Sequence, residues 1–304
     1  MNPARCPACL SPNSSFSGTI DRFTPPFEVV QCAECGSFYR HPQPSDESAY
    51  YDENYYTQKS DFSYMDERKI FAGSKHVWNA RLKQIRKYHP TGKFLDVGCS
   101  FGGFTFTAAQ YFDAWGIDVS KYAIKEASAF LQKIAKDDDS KNSVKGLFQT
   151  ELTTLPEKKL PENQFSVITM IEVLEHLKNP REHIAKAHKL LQPGGLLVIQ
   201  TANMDGRQAV QAGLQYHYFL PGHLTCFTAR GLKQMLRELG FTTFREFIPV
   251  DFGLMPKLKK MQTSFTSPLD YIKWFRTTWY HLTSYLRYKG QPLTSSYVLY
   301  AFKR

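Results

Sequence analysis

Apolar positions along the chain follow two periods. Short apolar runs at Phe94–Val97, Trp115–Val119, Val144–Phe148, Gln164–Ile171 and Leu196–Asn203 read as strands. Between them the spacing changes to three and four. Phe104–Phe112 continues a glycine turn as a helix, Ser120 caps a second helix to Ile134, and Pro180, with Asn179 as its cap, begins a third that ends near Pro193-Gly194-Gly195. Upstream, Ile70, Val77, Trp78, Leu82 and Ile85 predict a helix from about Phe62 to Tyr88. Downstream, Leu232, Met235, Leu236 and Leu239 form the inner face of another. Strands alternating with helices predict an α/β architecture.

The segment Gly253–Pro292 is longer than a hairpin loop should be. Leu269, Ile272, Phe275, Trp279, Leu282 and Leu286 recur every three or four residues, so one side of a helix is apolar. The formal charge of +10 belongs mostly to this end of the chain: Pro256–Arg304 holds nine Lys and Arg against one acid, Asp270. A basic, aromatic amphipathic helix suits packing as a lid, contact with a membrane or lipid-linked substrate through residues 256–289, or a grip on nucleic acid.

With 304 residues and 42% hydrophobic side chains, the chain can bury a large core. No apolar run reaches ~18 residues and the opening MNPARCPACL has no signal core, which predicts a cytoplasmic protein, peripheral at most to the inner face of a membrane. Cysteines there are reduced. Cys6-x-x-Cys9 and Cys32-x-x-Cys35 then form two knuckles able to present four thiolates to a structural Zn²⁺, whose binding supplies folding energy to a ribbon too small for its own core. Four thiolates leave no open position for catalysis. A connector follows in which Tyr50, Tyr51, Tyr55 and Tyr56 can pack as a lid over a pocket or cover the face of the next domain.

The most informative stretch is Lys93–Gly103, KFLDVGCSFGG, followed by Trp115–Ser120, WGIDVS. A strand running through a glycine turn into a helix presents backbone N–H groups to a ligand. Asp118, at the carboxyl end of the next strand, is placed to accept hydrogen bonds from both hydroxyls of a ribose. Asp96, Gly98, Ser100 and Gly102 resemble the Asp-x-Gly-x-Gly-x-Gly loop of the class I S-adenosylmethionine (SAM) methyltransferases, with Ser100 replacing a glycine. EVLEHLKNP followed by LLQPGGLLVI extends the resemblance over most of Phe94–Phe241. The resemblance implies a Rossmann-like seven-stranded sheet with helices on both faces, closed by an antiparallel pair at Phe244–Val250 and Tyr297–Phe302. It implies that SAM is held by Asp96, Gly98, Cys99, Ser100, Gly102, Asp118, Val119 and Ile171, with Asp96 near the methionine amino group and Asp118 on the ribose. The family's adenine acid falls at Thr150 or Glu151 here, and its frequent aspartate after the fourth-strand aromatic is Ser166.

Methyl transfer from a sulfonium is an in-line displacement, so an enzyme must align the acceptor and exclude water, and a hydroxyl acceptor needs a base. His176 lies just past the fourth strand at the crevice where α/β sheets bind ligands, and His217 and His223 follow the fifth. Glu172, Glu175 and His176 share one face if a helical turn begins there. They resemble the metal motif of small-RNA terminal 2′-O-methyltransferases and also occur in ubiquinone-pathway O-methyltransferases; His223 would complete a Mg²⁺ or Mn²⁺ site.

The chain thus divides into a zinc ribbon at 1–45, a Tyr-rich connector and helix at 46–92, a SAM-binding core at 93–252, a basic helical insertion at 253–292 and a closing strand at 293–304. It resembles the bacterial methyltransferases of sugar, polysaccharide and natural-product pathways with an N-terminal zinc ribbon. The zinc-sugar C-methyltransferases among them carry a further C-terminal domain for which this chain is too short, which favours oxygen over carbon in a small-molecule, sugar or lipid-linked glycan acceptor. An RNA 2′-O-methyltransferase and a non-catalytic binding or scaffold protein are the alternative expectations.

Overall fold

The computed structural model describes residues 5–44, 50, 53–57, 66–136, 144–155 and 162–304. The N-terminal part comprises strands β1 (Ser14–Ile20), β2 (Phe27–Cys32) and β3 (Phe38–Arg40), a short helix α1 (Glu53–Thr57) and the longer α2 (Phe71–Ile85). Strands and helices then alternate: β4 (Lys93–Val97), α3 (Gly103–Ala108), β5 (Asp113–Asp118), α4 (Lys121–Lys136), β6 (Gly146–Gln149), β7 (Phe165–Ile171), α5 (Pro180–Leu190) and β8 (Leu191–Ala202). The remainder is α6 (Arg207–Ala212), β9 (Thr225–Cys226), α7 (Ala229–Glu238), β10 (Phe241–Phe247), α8 (Leu254–Gln262), α9 (Asp270–Thr283), β11 (Arg287–Tyr288), β12 (Gln291–Pro292) and β13 (Ser296–Lys303).

Seven strands form one sheet in the order β10-β13-β8-β7-β4-β5-β6. β13 runs antiparallel to both β8 and β10, and the other pairings are parallel. From β4 the chain first builds outward through β5 and β6, then returns to add β7 and β8 on the other side. That reversal opens a crevice at the carboxyl ends of β4, β5 and β7. The pleat explains why the central strands are apolar on both faces. Leu95, Ile168, Leu197 and Leu299 enter one core layer, while Phe94, Val167, Leu196 and Val298 enter the other. Helix α2 adds Trp78, Leu82 and Ile85 to the second layer, and α7 adds Leu232, Met235 and Leu236 to the first.

Several expectations shift in detail. β6 begins at Gly146, and β10 occupies Phe241–Phe247 instead of running to Val250, because Pro249 has no N–H to offer a ladder. Asn179 stands at the N-cap of α5 without a side-chain capping bond; its carbonyl accepts from the Glu182 N–H instead. Ser120 does cap α4, accepting from the Ala123 N–H. α2 starts at Phe71, and the expected positions 62–65 before it lie outside the described residues. The small sheet runs β1-β2-β3-β9, so its fourth strand comes from Thr225–Cys226 rather than from the N-terminal 45 residues.

An ion pair inside the molecule ties the last third of the chain to α2. Arg81 Nε donates to both oxygens of Asp251 at 3.0 and 3.1 Å, and the Tyr300 hydroxyl donates to Oδ2 at 2.7 Å. Both charged side chains are almost fully buried. Arg81→Leu strands the carboxylate without its partner and should cost about 3–5 kcal/mol, read as a lower unfolding midpoint in denaturant. Pairing it with Asp251→Asn should restore most of that loss; a double variant as unstable as the single one would contradict this account.

Candidate active site

Gly98, Ser100 and Gly102 all take left-handed backbone angles, φ +72°, +48° and +74°, which tighten the turn between β4 and α3. Ser100 has a side chain in that strained region, the cost of replacing a glycine there. A Cβ on Gly98 would sit 2.4 Å from Val173, so the turn closes against the start of the next crossover. Asp96 is buried beneath it, its two oxygens accepting from Thr105 and Thr169 at 2.8 Å each. Burial, only partly offset by those bonds, raises Asp96 to about 6. Asp118 accepts from the Ser100 N–H and the Ser120 N–H, both at 2.9 Å, and from the Tyr56 hydroxyl. Cys99 is buried, Val119 is exposed at the rim and Ile171 is half-buried at the end of β7.

The second half of the site follows β7. Glu172 adopts φ +55°, which turns the chain sharply, and Leu174–His176 form a single 3-10 turn. Glu172 therefore does not belong to a helical turn shared with Glu175 and His176; the fold brings Glu175 and His176 together with His223, and Glu172 reaches them through Tyr218. Glu175, His176 and His223 offer ligand atoms within 4.8 Å of one another. His176 Nδ1 lies 2.9 Å from the Gly222 carbonyl, and His223 Nδ1 lies 2.6 Å from the Tyr218 carbonyl. A carbonyl only accepts, so each Nδ1 carries the proton and each Nε2 presents a lone pair. Burial lowers His176 to about 4 and pushes His223 well below the usual histidine range, so both rings are neutral. Glu175 is raised well above the carboxylate range by burial and by the neighbouring Glu172 charge.

Sequence reasoning missed the side chains that hold this cluster. The Tyr218 hydroxyl donates to Glu175 and lies 3.3 Å from Glu172, and Gln200 Nε2 donates to Glu172 at 2.7 Å. Arg81 in turn donates to Gln200, linking the buried ion pair to the cluster. None of these residues stands near Glu175 in sequence, so no motif could have shown them. His217, expected together with His223 at the crevice, is exposed: in Tyr216-His217-Tyr218 the tyrosines are buried and the histidine is not.

α1 bridges the two halves. Burial raises the Tyr55 hydroxyl to about 12, with the nearby carboxyl groups of Glu175, Asp118 and Glu172 adding to the shift. Tyr56 packs edge-on against Phe101 at 5.4 Å. Tyr50 accepts from Arg40 at 2.8 Å, and Tyr51 lies outside the described residues. Thr150 is tied by its N–H to the Asp118 carbonyl, while Glu151 turns toward His183, 4.0 Å away.

Away from the crevice, the four N-terminal cysteines converge. Cys6 Sγ lies 3.6 Å from Cys35 Sγ, and Cys9 Sγ lies 3.5 Å from Cys32 Sγ. These separations are far beyond a disulfide and close to the edge of a tetrahedron built on bonds of about 2.3 Å, ~3.8 Å. Cys35 is pulled down to about 5, first by its bond with Cys6, and burial pushes Cys9 up to about 11.

Residues 72–246 match the methyltransferase domain family. The ubiquinone biosynthesis O-methyltransferase of Thiobacillus denitrificans is 27% identical over 180 residues, spanning 56% of this chain and 72% of that protein. The corresponding Psychrobacter arcticus protein is 29% identical over 161 residues, spanning 49% and 59%. Among solved structures, phosphoethanolamine N-methyltransferase 2 of Haemonchus contortus, bound to SAM, aligns over 94% of this chain and 71% of its own with a TM-score of 0.54 at 14% identity, a likeness of fold. A domain match over more than half the chain, on a sheet whose switch point carries the Asp96 loop and Asp118, makes this protein a member of the class I SAM-dependent methyltransferases.

Proposed function

We propose that this enzyme moves the SAM methyl group to an oxygen of a small-molecule or glycan-type acceptor bound between Asp118 and the Glu175–His176–His223 cluster. The single observation carrying the reading is that the Gly98 turn closes against Val173, 2.4 Å from a Cβ placed on Gly98, so the Asp96–Asp118 loop and the segment that carries Glu175 and His176 line one crevice. The similar proteins named as ubiquinone biosynthesis O-methyltransferases support oxygen as the accepting atom.

The residues fit the cofactor. Ser100 Oγ is buried with no hydrogen-bond partner among the described residues, inside the left-handed turn of Gly98, Ser100 and Gly102. Asp118 would accept from the ribose hydroxyls, and Asp96 from the amino group. SAM held there would supply a methyl on a sulfonium sulfur for the acceptor oxygen and would depart as the neutral thioether. His176 Nε2 takes the acceptor proton, its tautomer held by the Gly222 carbonyl. Tyr55 and Tyr56 cover the crevice and exclude water.

One observation favours a second reading of the same cluster. Two imidazole lone pairs and a carboxylate, with the buried Glu175 Oε2 lacking a hydrogen-bond partner among the described residues, form a donor set for a divalent cation, Mn²⁺ more than Mg²⁺ because of the imidazoles. A cation there would ease deprotonation of the acceptor hydroxyl. At the N-terminus, the sulfur tetrahedron suits a structural Zn²⁺ held by Cys6, Cys9, Cys32 and Cys35.

Titration calorimetry tests the cofactor assignment. Wild type should bind SAM, and Asp118→Ala should weaken it about tenfold or more, the loss of hydrogen bonds to a charged acceptor. Equal affinity in the variant would remove Asp118 from the site. Incubation of cell extracts with isotopically labelled SAM, read by mass spectrometry, should then show methyl gain on an oxygen.

A further inference from the structure

The expected apolar stripe of the insertion is present, but it faces away from the protein. Ile272, Phe275, Trp279 and Leu282 on α9, with Leu269 and Leu286 at its two ends, are all more than half exposed, Phe275 by 66% and Trp279 by 65%. The opposite side holds the helix in place: His281 and Ser284 are buried, and the Tyr280 hydroxyl bonds Thr294. Among the described residues, ten of the fifteen exposed large hydrophobic side chains lie between Met255 and Tyr288. A concentration of this kind marks an interaction surface, whereas scattered single residues do not. The same segment, Gly253–Pro292, carries seven Lys and Arg and one acid. That acid, Asp270, already accepts from the N–H groups of Thr266 and Ser267 and from Lys273.

We propose that α9 and the turn after it lie on an anionic lipid surface. Ile272, Phe275, Trp279 and Leu282 enter the boundary between headgroups and acyl chains, and Lys273, Arg276, Arg287 and Lys289 meet the lipid phosphates. Charge selects this occupant. A second copy of the chain would bring an equally basic stripe with no spare carboxylate to answer it, so self-pairing of this face places like charges together. An anionic bilayer answers the charge and accepts the apolar side chains in one contact. Trp279, Tyr271, Tyr285 and Tyr288, each exposed, are rings with an apolar body and a polar tip, the type that settles at headgroup depth. No helix among the described residues is long and apolar enough to cross a membrane, so the contact is along the surface. The proposal is independent of which acceptor the enzyme methylates.

Co-sedimentation of the full chain with vesicles tests it. Wild type should pellet with vesicles of equal parts phosphatidylcholine and phosphatidylglycerol, and far less with phosphatidylcholine alone. Phe275→Ser/Trp279→Ser and, separately, Lys273→Glu/Arg276→Glu should each reduce binding about tenfold or more, with SAM affinity unchanged as evidence of folding. Binding of both variants equal to wild type would overturn the proposal. So would a wild-type dimer in sedimentation velocity that the Ser variant dissolves without any vesicle binding, or vesicle-independent binding to RNA that the Glu variant loses.

Discussion

His176→Ala should lower kcat by about 10²–10⁴-fold while leaving the SAM dissociation constant within a few-fold of wild type. His176 contributes nothing to the Gly98–Gly102 turn or to the Asp118 hydrogen bonds, so cofactor binding does not need it. Its ring stands 4.6 Å edge-on from His223, and its Nδ1 proton is committed to the Gly222 carbonyl, which aims Nε2 as the accepting atom. Glu175→Gln and a chelator separate the two readings of the cluster. If His176 acts as the base alone, EDTA leaves turnover unchanged. If a divalent cation is used, EDTA abolishes turnover and Mn²⁺ restores it in wild type but not in His176→Ala or Glu175→Gln. Unchanged turnover in His176→Ala would exclude both.

Cys35→Ser, or stripping of the metal, should produce the largest change in stability. Structural zinc binding to a ribbon of this size is worth about 10–16 kcal/mol in isolated peptides near neutral pH. Less of that will appear here, because β3 pairs with β9 and the buried Tyr39, Val30 and Cys32 share a core layer with Phe227 and Leu232. Elemental analysis should find one zinc per chain in wild type, and the variant should lose it together with several degrees or more of thermal midpoint. The effect should also reach catalysis. The Arg40 guanidinium donates to the Pro221 carbonyl at 3.0 Å, the Arg40 N–H to the Leu224 carbonyl, and the Leu224 N–H to the Glu175 carbonyl. The ribbon thus clamps the loop that carries Gly222 and His223. Cys35→Ser should therefore reduce kcat more than it weakens SAM binding. Zinc-free protein with wild-type stability and turnover would contradict this.

The legible parts of the fold were those whose signal is local. Asp96, the small residues of the turn and Asp118 lie within a single strand-turn-helix-strand unit, so spacing alone places them at one pocket floor. The four cysteines were legible for the same reason, as two knuckles whose residues are close in sequence. The Glu175–His176–His223 cluster was only half legible. EVLEH marks Glu175 and His176, but Tyr218, Gln200 and Arg81 reach it from three other elements, and nothing in their own neighbourhoods sets them apart. The ribbon's fourth strand escaped for a related reason: Thr225–Cys226 is two residues long, too short for any periodicity, and becomes a strand only because β3 offers it an edge.

The stripe on α9 shows the boundary from the other side. A period of three or four states that one face of a helix is apolar, and residues 269–286 satisfy it. Whether that face meets the core is a matter of which surface remains uncovered once the rest has packed. Here Tyr280, His281 and Ser284 won the contact with the protein, and Leu269, Ile272, Phe275, Trp279, Leu282 and Leu286 were left outside. By itself the sequence determined the α/β class, the glycine turn with Asp96 and Asp118, and the sulfur cluster, because each depends on neighbours within a few tens of residues. Tertiary structure alone decided the partners of Glu172 and Glu175, the clamp from the ribbon to the Gly222–His223 loop and the outward face of α9, because those contacts join residues whose proximity exists only after the sheet has closed.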